Sequence, residues 1–105
     1  MDNISVDEFH DRVENLGSND LILDVRSPGE FNEGHIKGAM NTNHEEVASI
    51  VDEIKQYQTV YVHCKMGGRA QMAAQILRDA GLSNIVCVKD GGMQRWQQQG
   101  WPIEK

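Results

Sequence analysis

Cys64 ends the run Thr59-Val60-Tyr61-Val62-His63 and is followed by Lys65-Met66-Gly67-Gly68-Arg69. The β-branched and aromatic run reads as a buried strand, and the pattern from Ala70 to Leu77 reads as a helix opening at about Arg69. One thiol therefore stands at a strand-to-helix turn, facing a helix N-terminus whose first N–H groups lack intrahelical partners. An anion is stabilised there, and a thiolate is an anion. The expectation is a Cys64 with lowered pKa, active as a nucleophile. The competing reading is a small buried hydrophobe. Lys65, the two glycines and Arg69 weigh against it, because they supply positive charge and permissive backbone but nothing to bury. Cys87, inside Asn84-Ile85-Val86-Cys87-Val88 with no adjacent cation, reads as a structural core residue.

The elements that position Cys64 must fit within 105 residues, a length that predicts one domain over 1–105 with a substantial core. Ser5-Val6-Asp7-Glu8 looks like a capping box before a helix carrying Phe9, Val13 and Leu16, stopped by Gly17. Leu21 to Val25 reads as a strand buried on both faces, broken by Ser27-Pro28-Gly29. The stretch 30–38 reads as loop with a helical turn, and 39–41 as a short strand. Val47, Ile50, Val51 and Ile54 mark a second amphipathic helix. After the Cys64 turn and its helix, which Gly81 ends, Ile85 to Val88 is the last strand. Met93 to Gln99 is the last helix, closed by Gly100. Strands alternating with helices predict an α/β fold with a mostly parallel sheet covered on both faces. Ligands of such sheets bind beyond the carboxyl ends of the strands. Asp24 with Arg26, Cys64, and Asp90-Gly91-Gly92 all fall there.

Charge and composition narrow the function. A net charge of −6 argues against nucleic acid and anionic membranes as partners. No apolar run reaches the length of a membrane span. Asp2, Asp7 and Glu8 stand where a signal sequence would be basic, and the two cysteines form no disulfide framework. The expected setting is cytoplasmic. His10, His35, His44 and His63 lack zinc-site spacing, so neither a metal nor another cofactor is expected. The Gln97-Gln98-Gln99 run reads as the solvated face of the last helix.

Four segments resemble the rhodanese family of sulfurtransferases. Leu23-Asp24-Val25-Arg26 with Glu30-Phe31 resembles its Asp-Val-Arg segment, and Gly34-His35-Ile36-Lys37-Gly38-Ala39 its Gly-His-Ile-x-Gly-Ala motif. Cys64 to Arg69 is similar to its active-site loop, and Gly91-Gly92, Trp96, Gly100 and Pro102 to its C-terminal signature. The resemblance implies a rhodanese-like, mostly parallel five-stranded sheet with helices on both faces. It also implies transfer of a sulfane sulfur through a Cys64 persulfide. The donor would be a small molecule such as thiosulfate, and the acceptor cyanide or a thiol such as glutathione or thioredoxin. An alternative is a persulfide carrier or sensor acting with a protein partner. Rhodanese-like phosphatases resemble this loop but carry one residue more; four residues between Cys64 and Arg69 favour sulfur over phosphate.

Within that resemblance, N–H groups of residues 65 to 69 would stabilise the thiolate and then the persulfide anion. Lys65 would attract an anionic donor, against the reading of a solvated surface lysine. Arg69 would donate to the bound anion or pair with an acid to hold the loop. Gly67 and Gly68 would permit the backbone angles that aim N–H groups inward. Met66 reads as a wall of the substrate pocket or as a gap filler. Asp24 and Arg26 are expected to support the loop, with Arg26 paired to Glu30. His35 is expected to be buried and structural, and His63 to point away from Cys64, since side chains alternate along a strand. Trp96 and Trp101 read as packing residues. The stretch Asn41-Thr42-Asn43-His44 replaces a more apolar, proline-containing family segment, a change expected at the pocket rim.

Overall fold

In the computed structural model, which describes residues 2–105, five strands form one sheet. They are β1 (Asp2–Ser5), β2 (Asp20–Asp24), β3 (Met40–Asn41), β4 (Thr59–His63) and β5 (Ile85–Asp90). Their order is β1-β5-β4-β2-β3, and every pairing is parallel. The helices are α1 (Val6–Glu14), α2 (Pro28–Glu33), α3 (Val51–Ile54), α4 (Gly68–Asp79) and α5 (Gly92–Gln98), with a 3₁₀ segment over His44–Ile50 before α3.

The helices cover both faces of the sheet, and the apolar side chains divide accordingly. On one face Leu23, Val62, Cys64 and Cys87 pack with Ala73, Ala74 and Leu77 of α4 and with Ile54. On the other Ile22, Tyr61, Val86 and Val88 pack with Phe9 of α1 and with Met93 and Trp96 of α5. Burial on both faces explains why β2 and β4 are continuous apolar runs and not alternating ones. β4 lies at the centre of the sheet, between β5 and β2. The carboxyl end of β4 thus reaches the Cys64 turn with strands on either side.

Four elements differ from the sequence reading: the amphipathic helix marked by Val47, Ile50, Val51 and Ile54 is a 3₁₀ segment over His44–Ile50 running into a single turn, α3. β1 pairs with β5, Asn3 opposite Cys87 and Ile4 opposite Val88; the edge-strand role of these four residues had no local signal. Ser5 accepts from the Glu8 N–H at 3.2 Å and caps α1 as expected, but α1 ends at Glu14, three residues before Gly17, and Leu16 is exposed. The full capping box belongs to α2: the Ser27 hydroxyl accepts from the Glu30 N–H, and a Glu30 carboxylate oxygen accepts from the Ser27 N–H. Pro28, read as a break, is the first residue of that helix, where its missing N–H costs nothing.

Candidate active site

Cys64 leaves β4 buried, 1% exposed, with its thiol turned toward the start of α4. The Sγ atom accepts from the Gly67 N–H at 3.0 Å and from the Ala70 N–H at 3.3 Å. The first donor was expected within residues 65–69; the second lies one residue beyond, in the first turn of the helix. Two oriented N–H groups and the positive end of a twelve-residue helix act on one sulfur.

The backbone outside the loop explains why the N–H groups face inward. The Cys64 carbonyl accepts from the Met93 N–H at 2.8 Å, that of Lys65 from Gln94 at 3.0 Å, and that of Met66 from Gly91 at 3.4 Å. Carbonyl and N–H of a trans peptide point in opposite directions, so holding carbonyls toward α5 turns the following N–H groups the other way. Gly92 is required at this junction, because a Cβ there would collide with the Cys64 carbonyl. Gly67 has φ +114°, and a Cβ on it would collide with the carbonyl of Lys89. Gly68 corrects the expectation: it has no positive φ, and a Cβ on it would meet open space. One glycine of the pair carries the conformational demand.

Arg69 pairs with an acid. Its Nη1 donates to Glu30 Oε1 at 2.6 Å and its Nη2 to Oε2 at 3.0 Å, a bidentate bridge from α2 to the first turn of α4. These hydrogen bonds hold the Glu30 carboxyl down at about 2. A cation at a helix start is electrostatically unfavourable, and Glu30 offsets it. The expected Arg26–Glu30 pair is corrected accordingly. Arg26 pairs with Asp24 instead, Nη2 to Oδ2 at 2.7 Å, and the same Nη2 donates to the Gly34 carbonyl at 2.8 Å. Both side chains of this ion pair are buried, and it ties the turn after β2 to the end of α2. Glu30 was missed as a loop partner; the signal was its place three residues after Ser27, which fixes its carboxylate at the start of α2.

The remaining residues fall as follows. Lys65 is exposed beside the loop, and Met66, at 64% exposure, projects into solvent. His63 is fully buried on the opposite face, its ring 5.3 Å from that of Phe9, and burial pushes its pKa down. His35 stacks on Phe31 at 3.8 Å and donates to the Phe31 carbonyl through Nδ1 at 2.9 Å, but it is half-buried and not buried as expected. Cys87 sits in the core, its thiol pushed up by burial. An open groove of about 430 Å³ adjoins the loop, bordered by Arg26, Glu30, Glu33, Lys65, Met93 and three glutamines of α5.

A family model described as a rhodanese-like domain matches residues 5–99. The chain belongs to the rhodanese-like family. The thiosulfate sulfurtransferase GlpE of Shewanella oneidensis is 35% identical over 77 residues, which cover 73% of this chain and 75% of that protein. An uncharacterized protein of Bacillus subtilis is 39% identical over 75 residues, and the aligned part spans 59% of its length. Among solved structures, a rhodanese-related protein of Thermoplasma volcanium superposes with a TM-score of 0.83 at 28% identity, over 99% of this chain and 98% of that one. Rhodanese-like neighbours of this kind share the α/β architecture described above. No helix among the described residues is long and apolar enough to cross a membrane.

Proposed function

We propose that this rhodanese-like chain is a sulfurtransferase that moves a sulfane sulfur from a donor such as thiosulfate to a thiophilic acceptor through a persulfide on Cys64. The observation that carries this reading is the pair of N–H groups, from Gly67 and Ala70, aimed at the Cys64 sulfur. In the first half-reaction the Cys64 thiolate attacks the outer sulfur of thiosulfate. The sulfur–sulfur bond of the donor breaks, sulfite leaves with the electron pair, and Cys64–S–S⁻ forms. In the second, cyanide or a thiolate attacks the outer sulfur and the Cys64 thiolate departs. The attacking thiolate and the loaded persulfide are both anions on sulfur, so a preorganised donor set serves both. The name of the Shewanella relative supports thiosulfate as donor, and four residues between Cys64 and Arg69 suit a sulfur anion better than a phosphate.

In this reading Cys64 is the nucleophile and residues 65–69 form the cradle, with Lys65 at the entrance and Arg69 locked to Glu30. Asp24 and Arg26 support the loop from β2. The whole chain, 1–105, acts as one catalytic unit in the cytoplasm.

The test is steady-state thiocyanate formation from thiosulfate and cyanide, with Cys64→Ser and Cys87→Ser proteins alongside. Turnover lost with Cys64→Ser and kept with Cys87→Ser supports the proposal; turnover kept without Cys64 removes it. Absence of turnover with a single sulfur atom added to Cys64 by a persulfide donor would instead assign a stoichiometric carrier.

A further inference from the structure

A second cavity lies on the face of the sheet away from Cys64. Its volume is about 280 Å³, just under the range of small-molecule sites, about 300–1,000 Å³, so it has room for a body of one ring. Its floor is apolar: Val13 of α1, Ile36, Trp96 of α5 and Pro102. The segment after α5 forms one side and is held at three points. Trp101 stacks on His10 with ring centroids 4.0 Å apart. The Trp96 indole N–H donates to the Pro102 carbonyl at 2.9 Å. His35 and Glu104 exchange backbone hydrogen bonds of 2.8 and 2.7 Å. The cavity is therefore preformed, and it shares no lining residue with the groove beside the Cys64 loop.

The rim carries two formal charges, and they differ in what already faces them. Glu14 is 63% exposed, and its carboxylate lies 3.7 Å from His10 Nε2, so solvent and an imidazole attend to it. Lys37 is exposed and has no hydrogen bond or ion pair among the described residues. The unmatched group is thus a cation beside an apolar floor. An apolar body on that floor leaves water, and a carboxylate at its end meets the Lys37 ammonium. An amine in the same place would meet a like charge. A polyanion would find one lysine on a chain of net charge −6. We propose that this cavity binds a small apolar monocarboxylate of about the size of phenylacetate. Its ring lies on Trp96, Ile36, Val13 and Pro102, and its carboxylate pairs with Lys37. The inference is independent of the sulfurtransferase reading, and occupancy leaves the groove at Cys64 open.

The chain has two tryptophans; Trp96 lines the cavity and Trp101 packs against it with ring centroids 5.3 Å apart. Indole fluorescence of the full chain therefore reports on this site. Phenylacetate should change the emission saturably, with a Kd on the order of 1 mM for a ligand of about ten heavy atoms. Phenylacetamide, the same shape without the charge, should bind about three- to fivefold more weakly, the size of one exposed ion pair. Phenethylamine should bind more weakly still. Lys37→Gln, at an exposed position, should abolish the preference for phenylacetate and leave the affinity for phenylacetamide unchanged. Equal affinity for phenylacetate and phenylacetamide in the wild type, tighter binding of phenethylamine, or no saturable change with any of the three would overturn the site. Amide NMR shifts on addition of phenylacetate locate the ligand without fluorescence. Shifts centred on residues 13, 14, 36 and 37 and on the Trp96 indole N–H support the cavity; shifts centred on residues 64–69, or scattered over the surface, refute it.

Discussion

Cys64 and Cys87 are the same thiol in two surroundings. Both are buried and both face the side of the sheet covered by α4. Cys87 has apolar neighbours and its thiol is pushed up by burial; Cys64 has two N–H donors on its sulfur. The difference was legible in the residues that follow each cysteine, because Val88 continues a strand and Gly67 cannot. Lys65 is the residue whose role charge decides. It is exposed and has no ion-pair partner among the described residues, so its attraction for an anionic donor acts through solvent. Lys65→Ala should raise the KM for thiosulfate about two- to fivefold at 0.01 M ionic strength and by much less at 1 M, where the Debye length has fallen from about 30 Å to about 3 Å. Steady-state kinetics at the two salt concentrations check this, and an equal KM ratio at both would return Lys65 to an ordinary surface residue.

At the scale of elements, the loop is shaped by a segment remote from it in sequence. The turn from β5 into α5 takes up the carbonyls of residues 64–66 and so sets which way the N–H groups point. Gly92 is the point of closest approach. Gly92→Ala should therefore destabilise by about 2 kcal/mol or more, combining a collision with an unfavourable backbone angle. Gly68→Ala, with open space around its Cβ, should stay within about 0.5 kcal/mol of the wild type. Urea unfolding of the two variants compares them, and similar losses would mean that the α5 junction is not the constraint. Both glycines of the 67–68 pair look alike as letters; a φ of +114° at one of them is a fact of tertiary packing. The same holds for α2, whose Ser27-Pro28-Gly29-Glu30 start reads equally as a turn until its capping box closes.

At the scale of the molecule, two groups shape the response to acid. His63 is fully buried and burial lowers its pKa below 6.5. The unfolded chain then takes up a proton that the folded chain refuses, so stability falls as pH drops through about 6.5. Glu30 acts at lower pH. Its folded value of about 2 lies below the ordinary 4.5, so its contribution is complete above about 4.5 and is lost as pH falls toward 2. Urea midpoints from pH 8 to 2.5 should decline in these two stages. The gap between wild type and Glu30→Gln should close over the lower one; a constant gap across that window would remove the Glu30–Arg69 bridge as a source of stability.

The local order of residues determined the parallel α/β alternation, the placing of Cys64 at a strand-to-helix turn, and the contrast with Cys87. Each depends on periodicity and on near neighbours, which a chain carries along its length. Tertiary structure decided which acid meets which cation. Arg26 lies four residues from Glu30 and Arg69 lies 39 away, yet Glu30 pairs with Arg69. The helix α2 aims Glu30 toward the loop, while Arg26 is drawn inward by Asp24. It also decided that β1 joins the sheet, that α5 backbone shapes the loop, and that three glutamines border a groove. Such pairings bring together groups far apart in the chain, and no pattern within a few residues encodes them.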